Sequence, residues 1–165
     1  MIERHPAAPY CGKNENCYCC KGGGFDSLPT LLKKMGAEAL TYENVWAYIN
    51  DDTNRADIRF VPDYTKGISY FVIGTKLVSQ PDRGECAWQN ADGSCELGDD
   101  ERPDTCAIVN PTICLKQFRE DIDEKTINNK ISRLVNSSAE IVRSWQDPAV
   151  QKLLKKIMNE ILTNI

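Results

Sequence analysis

Apolar residues recur along this chain at two spacings, which divide it into helical and extended stretches. From Ser27 onward Leu28, Leu31, Leu32 and Met35 fall on one face of a helical period, with Asp26 or Ser27 as N-cap, Pro29 acceptable in the first turn and Gly36 as the stop. A second short helix is predicted with Thr41 as its cap, running over Val45, Trp46, Tyr48 and Ile49 to the Asn50-Asp51-Asp52 cluster. Its aromatic residues read as core. Between Ala56 and Val78 the pattern changes to β-branched and aromatic residues, with Ile58 and Phe60 alternating and a largely apolar run from Ile68 to Ile73 broken by Gly74. This predicts two strands joined as a hairpin across Pro62 to Gly67.

From Ser79 to Pro111 turn formers dominate, among them Pro81-Asp82-Arg83-Gly84, Asp92-Gly93 and Arg102-Pro103, and the stretch reads as loop. After Cys114 long helix formers take over. Phe118, Ile122, Ile127, Ile131, Leu134, Val135, Ile141, Val142 and Trp145 predict one helix, or two broken near Asn136-Ser137-Ser138. The last helix is the clearest element, with Asp147 as N-cap, Pro148 at its first position, and Val150, Leu153, Leu154, Ile157, Met158, Ile161 and Leu162 on one face. That stripe predicts packing on the chain's own core, with a homodimer contact through the C-terminal helix as the alternative. The fold class expected is α+β, predominantly helical, with a short antiparallel hairpin and irregular metal-binding loops.

At 165 residues the chain has the length of one domain, 1–165, with a cysteine-bearing part at 11–114 and a helical part at 115–165. A formal charge of −4, with both signs interspersed, gives no extended basic field for a phosphate backbone, so no nucleic-acid partner is expected. No run of about 18 apolar residues exists to span a bilayer, so no membrane association is expected, and residues 1–10 lack the apolar stretch of a secretory signal. The cytoplasm is the expected compartment.

Eight cysteines then change the picture. They amount to about 5% of the chain, below the roughly 8–10% typical of a disulfide scaffold. They also arrive in groups, Cys11, Cys17, Cys19 and Cys20 early and Cys86, Cys95, Cys106 and Cys114 later. In a reducing compartment such grouping points to metal, because a short loop presents two thiolates to one ion at small entropic cost. Cys17 and Cys20 form a C-x-x-C pair, and Gly22, Gly23 and Gly24 after it permit the close backbone approach that lets amides hydrogen-bond metal-bound sulfur. Cys19 and Cys20 are adjacent, so in extended backbone their side chains diverge and one of them is left for a second site. Cys86, Cys95 and Cys106 each stand beside a turn that can direct a sulfur inward.

An early cysteine run, then a cysteine followed by Asp92-Gly93-Ser94-Cys95, then Arg102-Pro103-Asp104-Thr105-Cys106 and a final Cys114, resembles the YkgJ-type cysteine-cluster family of zinc- or iron-chelating domains. The likeness covers about Cys11 to Cys114. It departs from the family's first motif, because Cys11 lies six residues before Cys17 and one residue separates Cys17 from Cys19. The resemblance implies that the cysteines hold metal, and it leaves the helical last third unexplained. A related cysteine run occurs in flagellin lysine-N-methylases; nothing else in this chain resembles a cofactor-binding methylase domain.

The sole histidine, His5, stands in a proline-flanked leader where no neighbour would orient it, so the ligation expected is all-thiolate. All-thiolate sets suit tetrahedral zinc and iron–sulfur clusters alike. Loose spacings and the glycine wrap favour the larger object, an iron–sulfur cluster of the 4Fe–4S kind or an iron site; zinc is the alternative. The functions expected are, first, an iron or iron–sulfur protein in redox or in modification of a protein or small molecule and, second, a zinc-stabilised protein-interaction module. A thiol-redox protein is the third. No catalytic acid–base pair stands out. Asp99, Asp100 and Glu101, and the run from Glu120 to Glu124, read as solvated acidic faces. Arg102 reads equally as a donor to sulfur or as a residue fixing its loop, and Trp46, Trp88 and Trp145 as core or cluster shielding.

Overall fold

The structure, a computed structural model, describes residues 23–63, 66–80, 83–91, 95–108 and 124–164. In chain order these form helix α1 (Leu28–Met35), helix α2 (Tyr42–Asn50), strands β1 (Ala56–Asp63), β2 (Ile68–Thr75), β3 (Leu77–Gln80) and β4 (Arg83–Cys86), a single 3-10 turn at Asp99–Glu101, and helices α3 (Asp104–Ile108), α4 (Glu124–Trp145) and α5 (Pro148–Thr163). Helices with short antiparallel pairs make the α+β class.

Local chemistry sets the helix ends where the pattern predicts them. The Ser27 hydroxyl accepts from Thr30 N–H at the start of α1, and Gly36, at φ 68°, takes the left-handed turn that ends it. Thr41 caps α2 by accepting from Asn44 N–H. The Asp147 carboxylate accepts from the amides of Ala149 and Val150 ahead of Pro148. The expected break near Asn136 to Ser138 does not occur, and α4 runs unbroken from Glu124 to Trp145. Leu134, Ile141 and Trp145 are all buried along one of its faces, with Ser137 buried between them, so tertiary packing overrides the weak helix propensity of the Asn-Ser-Ser sequence.

β1 and β2 pair in register from Ala56 with Thr75 to Asp63 with Ile68. Ile58, Tyr70, Val72 and Ile73 from this hairpin join Leu31, Val45, Trp145, Leu154 and Ile157 in the main core. The two-stranded sheet leaves the outer edge of β2 in need of partners. Gln151 of α5 supplies them at Phe71, accepting from its N–H at 2.7 Å and donating to its C=O at 2.8 Å, as a neighbouring strand would. Every residue of the α5 stripe except Leu162, which is exposed, packs on this core.

The stretch from Ser79 to Pro111, expected to be loop, is more ordered than that. β3 and β4 pair antiparallel from Leu77 with Cys86 to Gln80 with Arg83, and α3 follows the 3-10 turn. Neither signal was strong locally, since β4 contains no β-branched residue and α3 is five residues long. No helix among the described residues is long and apolar enough to cross a membrane.

Candidate metal centre

Two cysteines are brought together by different elements around one arginine. Cys86 closes β4 opposite Leu77 and is a buried, free thiol. Cys106 lies in the first turns of α3, where its N–H reaches the Pro103 carbonyl. Half-buried Arg59, on β1, feels the charges of both sulfurs. Burial pushes its guanidinium below the usual arginine range, and thiolate charge at Cys86 and Cys106 works the other way.

Cys106 is pinned by a short ladder of polar contacts between residues 24–27 and 103–106. Phe25 N–H donates to the Thr105 hydroxyl, and Thr105 N–H donates to the Phe25 carbonyl. Asp104 N–H donates to Asp26 Oδ1 at 3.0 Å, while Ser27 N–H donates to Asp104 Oδ2 at 2.9 Å. Each carboxylate therefore holds the backbone of the other's segment, Asp26 that of Asp104 and Asp104 that of Ser27, and both are buried. Burial raises the Asp26 carboxyl above its ordinary range, opposed by the Lys34 ammonium 2.8 Å away.

Gly23 and Gly24 lie against this group. Gly24 donates its N–H to the Thr75 hydroxyl and accepts from Thr75 N–H at 2.8 Å, which fixes the glycine backbone to the end of β2. A Cβ on Gly24 would overlap the Cys106 sulfur and lie 2.9 Å from Thr105 Oγ1. A Cβ on Gly23, whose φ is 63°, would meet Thr75 Oγ1 at 2.5 Å and Arg59 Nη1 at 3.0 Å. The Gly24 backbone thus lies close to the Cys106 sulfur, while its N–H is given to Thr75 Oγ1 and not to sulfur.

Cys95 stands apart from that pair in its own clasp. It bridges Gln89, and Glu96 N–H donates to the Trp88 carbonyl at 2.8 Å. Arg55 covers the Trp88 ring at 4.4 Å while pairing with Glu96 at 2.7 Å. Trp88 is thereby a stacking partner of an arginine, while Trp46 and Trp145 belong to the core. Arg102 is buried, and its N–H reaches the Gly98 carbonyl. Asp100 and Glu101 are exposed, as solvated acids should be, and the Glu101 carboxylate accepts from Gly98 N–H.

Cys11, Cys17, Cys19, Cys20 and Cys114 lie outside the described residues, as do His5, Gly22, Phe118, Ile122 and Glu120. Among the described residues no three His, Cys, Asp or Glu side chains are grouped to hold an ion. Sequence reasoning missed Arg59, Thr75, Thr105 and the Asp26–Asp104 exchange. The hydrogen bonds that give Thr75 and Thr105 their places span 51 and 80 residues, so no local spacing could reveal them.

Comparison of the chain with protein-family models, with curated proteins and with solved structures finds no match.

Proposed function

We propose that this chain is a cytoplasmic cysteine-cluster metalloprotein, with Cys86 and Cys106 joined by Cys17 and Cys20 around an iron–sulfur or iron site that serves a redox or modification reaction. The observation that carries this reading is the contact of Gly24 with Cys106. Gly24 follows Cys20 by four residues, and four extended residues reach at most about 14 Å. The early cysteines are thus tethered within reach of the later ones at the point where Cys106, Cys86 and Arg59 converge. Cys11, Cys19, Cys95 and Cys114 are left for a more irregular cluster or a second metal.

The donor chemistry fits. An all-thiolate set places negative charge beside the Arg59 guanidinium, and metal-bound sulfur needs nearby backbone and little side-chain bulk, which Gly23 and Gly24 provide. An iron–sulfur centre bound there would supply one-electron chemistry; the protein's part is to hold the thiolates, limit water through the burial of Cys86, and offset their charge with Arg59. The resemblance to the YkgJ-type family points the same way.

Anaerobic purification with absorption spectroscopy and analysis for iron, sulfide and zinc tests this reading. Coloured protein containing iron and sulfide is expected, with loss of most of the metal in Cys106→Ser and in Cys20→Ser. Stoichiometric zinc in colourless protein would replace the redox reading with the zinc-stabilised interaction module. Full metal retention in both variants would overturn the site.

A further inference from the structure

On the side of the Gly24–Thr75 contact that faces α1 and α2, the fold encloses a cleft of about 430 Å³, within the usual range for small-molecule sites. Phe25, Leu31, Ile73, Trp88 and Leu97 give it apolar walls, and Tyr48, Asp26 and Lys34 add polar groups. Among the described residues no cysteine lines it, although Gly24 and Thr75 border both the cleft and the Cys106 contact.

The charges around it are unequal. Lys34 is engaged twice, with Asp26 Oδ2 at 2.8 Å and with the Glu101 carbonyl at 3.1 Å. Behind Asp26 stands the second buried carboxylate, Asp104, and Asp100 and Glu101 line the cleft from the exposed 3-10 turn. No arginine is among the described lining residues: Arg55 lies over Trp88 and pairs with Glu96, Arg102 is buried, and Arg59 packs behind Gly74. Among the described residues that line the cleft, Asp26, Asp100 and Glu101 therefore outnumber Lys34, and a low-dielectric cleft focuses that field on its contents. An anion would meet repulsion, since Lys34, the ammonium among the described lining residues, is already committed to Asp26 and Glu101. A neutral apolar molecule would gain nothing from the acidic side. Tyr48, facing Asp26 and Asp51, is kept as a protonated phenol chiefly by its burial, and those two charges add to the effect.

We infer that this cleft binds a small organic cation, a primary ammonium carried on an apolar body, with the body against Phe25, Ile73 and Trp88 and the ammonium toward Tyr48 and the carboxylates of Asp100 and Glu101. Pairing a hydrocarbon wall with a few convergent polar groups sets both affinity and orientation. The Tyr48 and Trp88 rings add the cation-binding faces of aromatic residues, though Arg55 already covers one face of Trp88.

The test is an amide and indole NMR titration of the full chain with phenethylammonium, and in parallel with phenylacetate, a similar body of opposite charge. Saturable shifts at Tyr48, Asn54 and Trp88 are expected with the ammonium and not with the carboxylate. Asp100 is exposed, so Asp100→Lys should leave the thermal midpoint in place while weakening phenethylammonium binding roughly threefold to tenfold. Tyr48→Phe should also weaken it. Equal binding of phenylacetate, no saturation at millimolar concentration, or unchanged affinity in Asp100→Lys would each overturn the assignment.

Discussion

The two antiparallel hairpins of this protein have the same topology and opposite reasons for existing. β1–β2 pairs eight residues from each strand and buries Ile58, Tyr70, Val72 and Ile73 under helices, while β3–β4 pairs four and leaves Leu77 and Val78 38% and 48% exposed. An isolated two-stranded hairpin is marginal in water, so each needs outside support. The first is supported by apolar burial and by the Gln151 amide along its edge. The second has little apolar surface to bury, and it ends at buried Cys86, near enough to Arg59 for their charges to interact. Where a core is thin, bound metal commonly supplies the missing cohesion. One hairpin belongs to the core and the other positions a sulfur.

Substitutions should separate the two most sharply at Trp145. Its ring is fully buried in the core that covers β1–β2, and its indole N–H donates to the Asp26 carbonyl at 2.7 Å. Trp145→Ala should lower unfolding free energy by about 3–5 kcal/mol, the usual range for truncating a buried aromatic, read from urea midpoints at constant m-value. A loss under about 1 kcal/mol would show that the core does not govern stability.

Alkaline pH should act on the same hairpin next. Burial, with help from the Asp63 charge, pushes the Tyr70 phenol up from an ordinary 10.0 to about 12, and the residue is only 4% exposed. The folded state therefore favours the protonated phenol. Its contribution is fully present below pH 10.0 and is lost as pH rises through about 12, on the order of 2–3 kcal/mol. Urea midpoints between these pH values should fall more steeply for the natural chain than for Tyr70→Phe. Parallel slopes would show that this phenol is not held in its neutral form.

The contrast also explains what could be read from residue order. The helix ends were legible because Ser27, Gly36, Thr41 and Asp147 act on backbone groups within a few residues of themselves. β1–β2 was legible because its strands carry their own apolar pattern. β4 was not, since Arg83-Gly84-Glu85-Cys86 becomes a strand only by pairing with β3, and α4 crosses Asn136 to Ser138 only because Leu134 and Ile141 are buried on either side. At the site, the grouping of cysteines was visible as composition. What aims Cys106, the exchange of Asp26 and Asp104 and the paired contacts of Phe25 with Thr105, joins residues nearly eighty positions apart and leaves no periodic trace.

The smallest expected effect falls at the clasp between the hairpins. Arg55 precedes β1, accepts from Lys76 N–H through its carbonyl, and sends its guanidinium to the Ala87 carbonyl, Glu96 and the Trp88 ring. These contacts are partly solvated, so Arg55→Ala should cost about 1 kcal/mol, less in high salt. Yet Arg55 holds φ at 44°, in the left-handed region that side chains disfavour by roughly 1 kcal/mol. Arg55→Gly removes the same guanidinium and relieves that strain, so it should be at least as stable as Arg55→Ala in the same denaturation series. If glycine proves clearly the worse of the two, the backbone at this position is not strained. The clasp would then rest on side-chain contacts, and the β3–β4 hairpin would owe its place to Arg55 more than to the cysteine it carries.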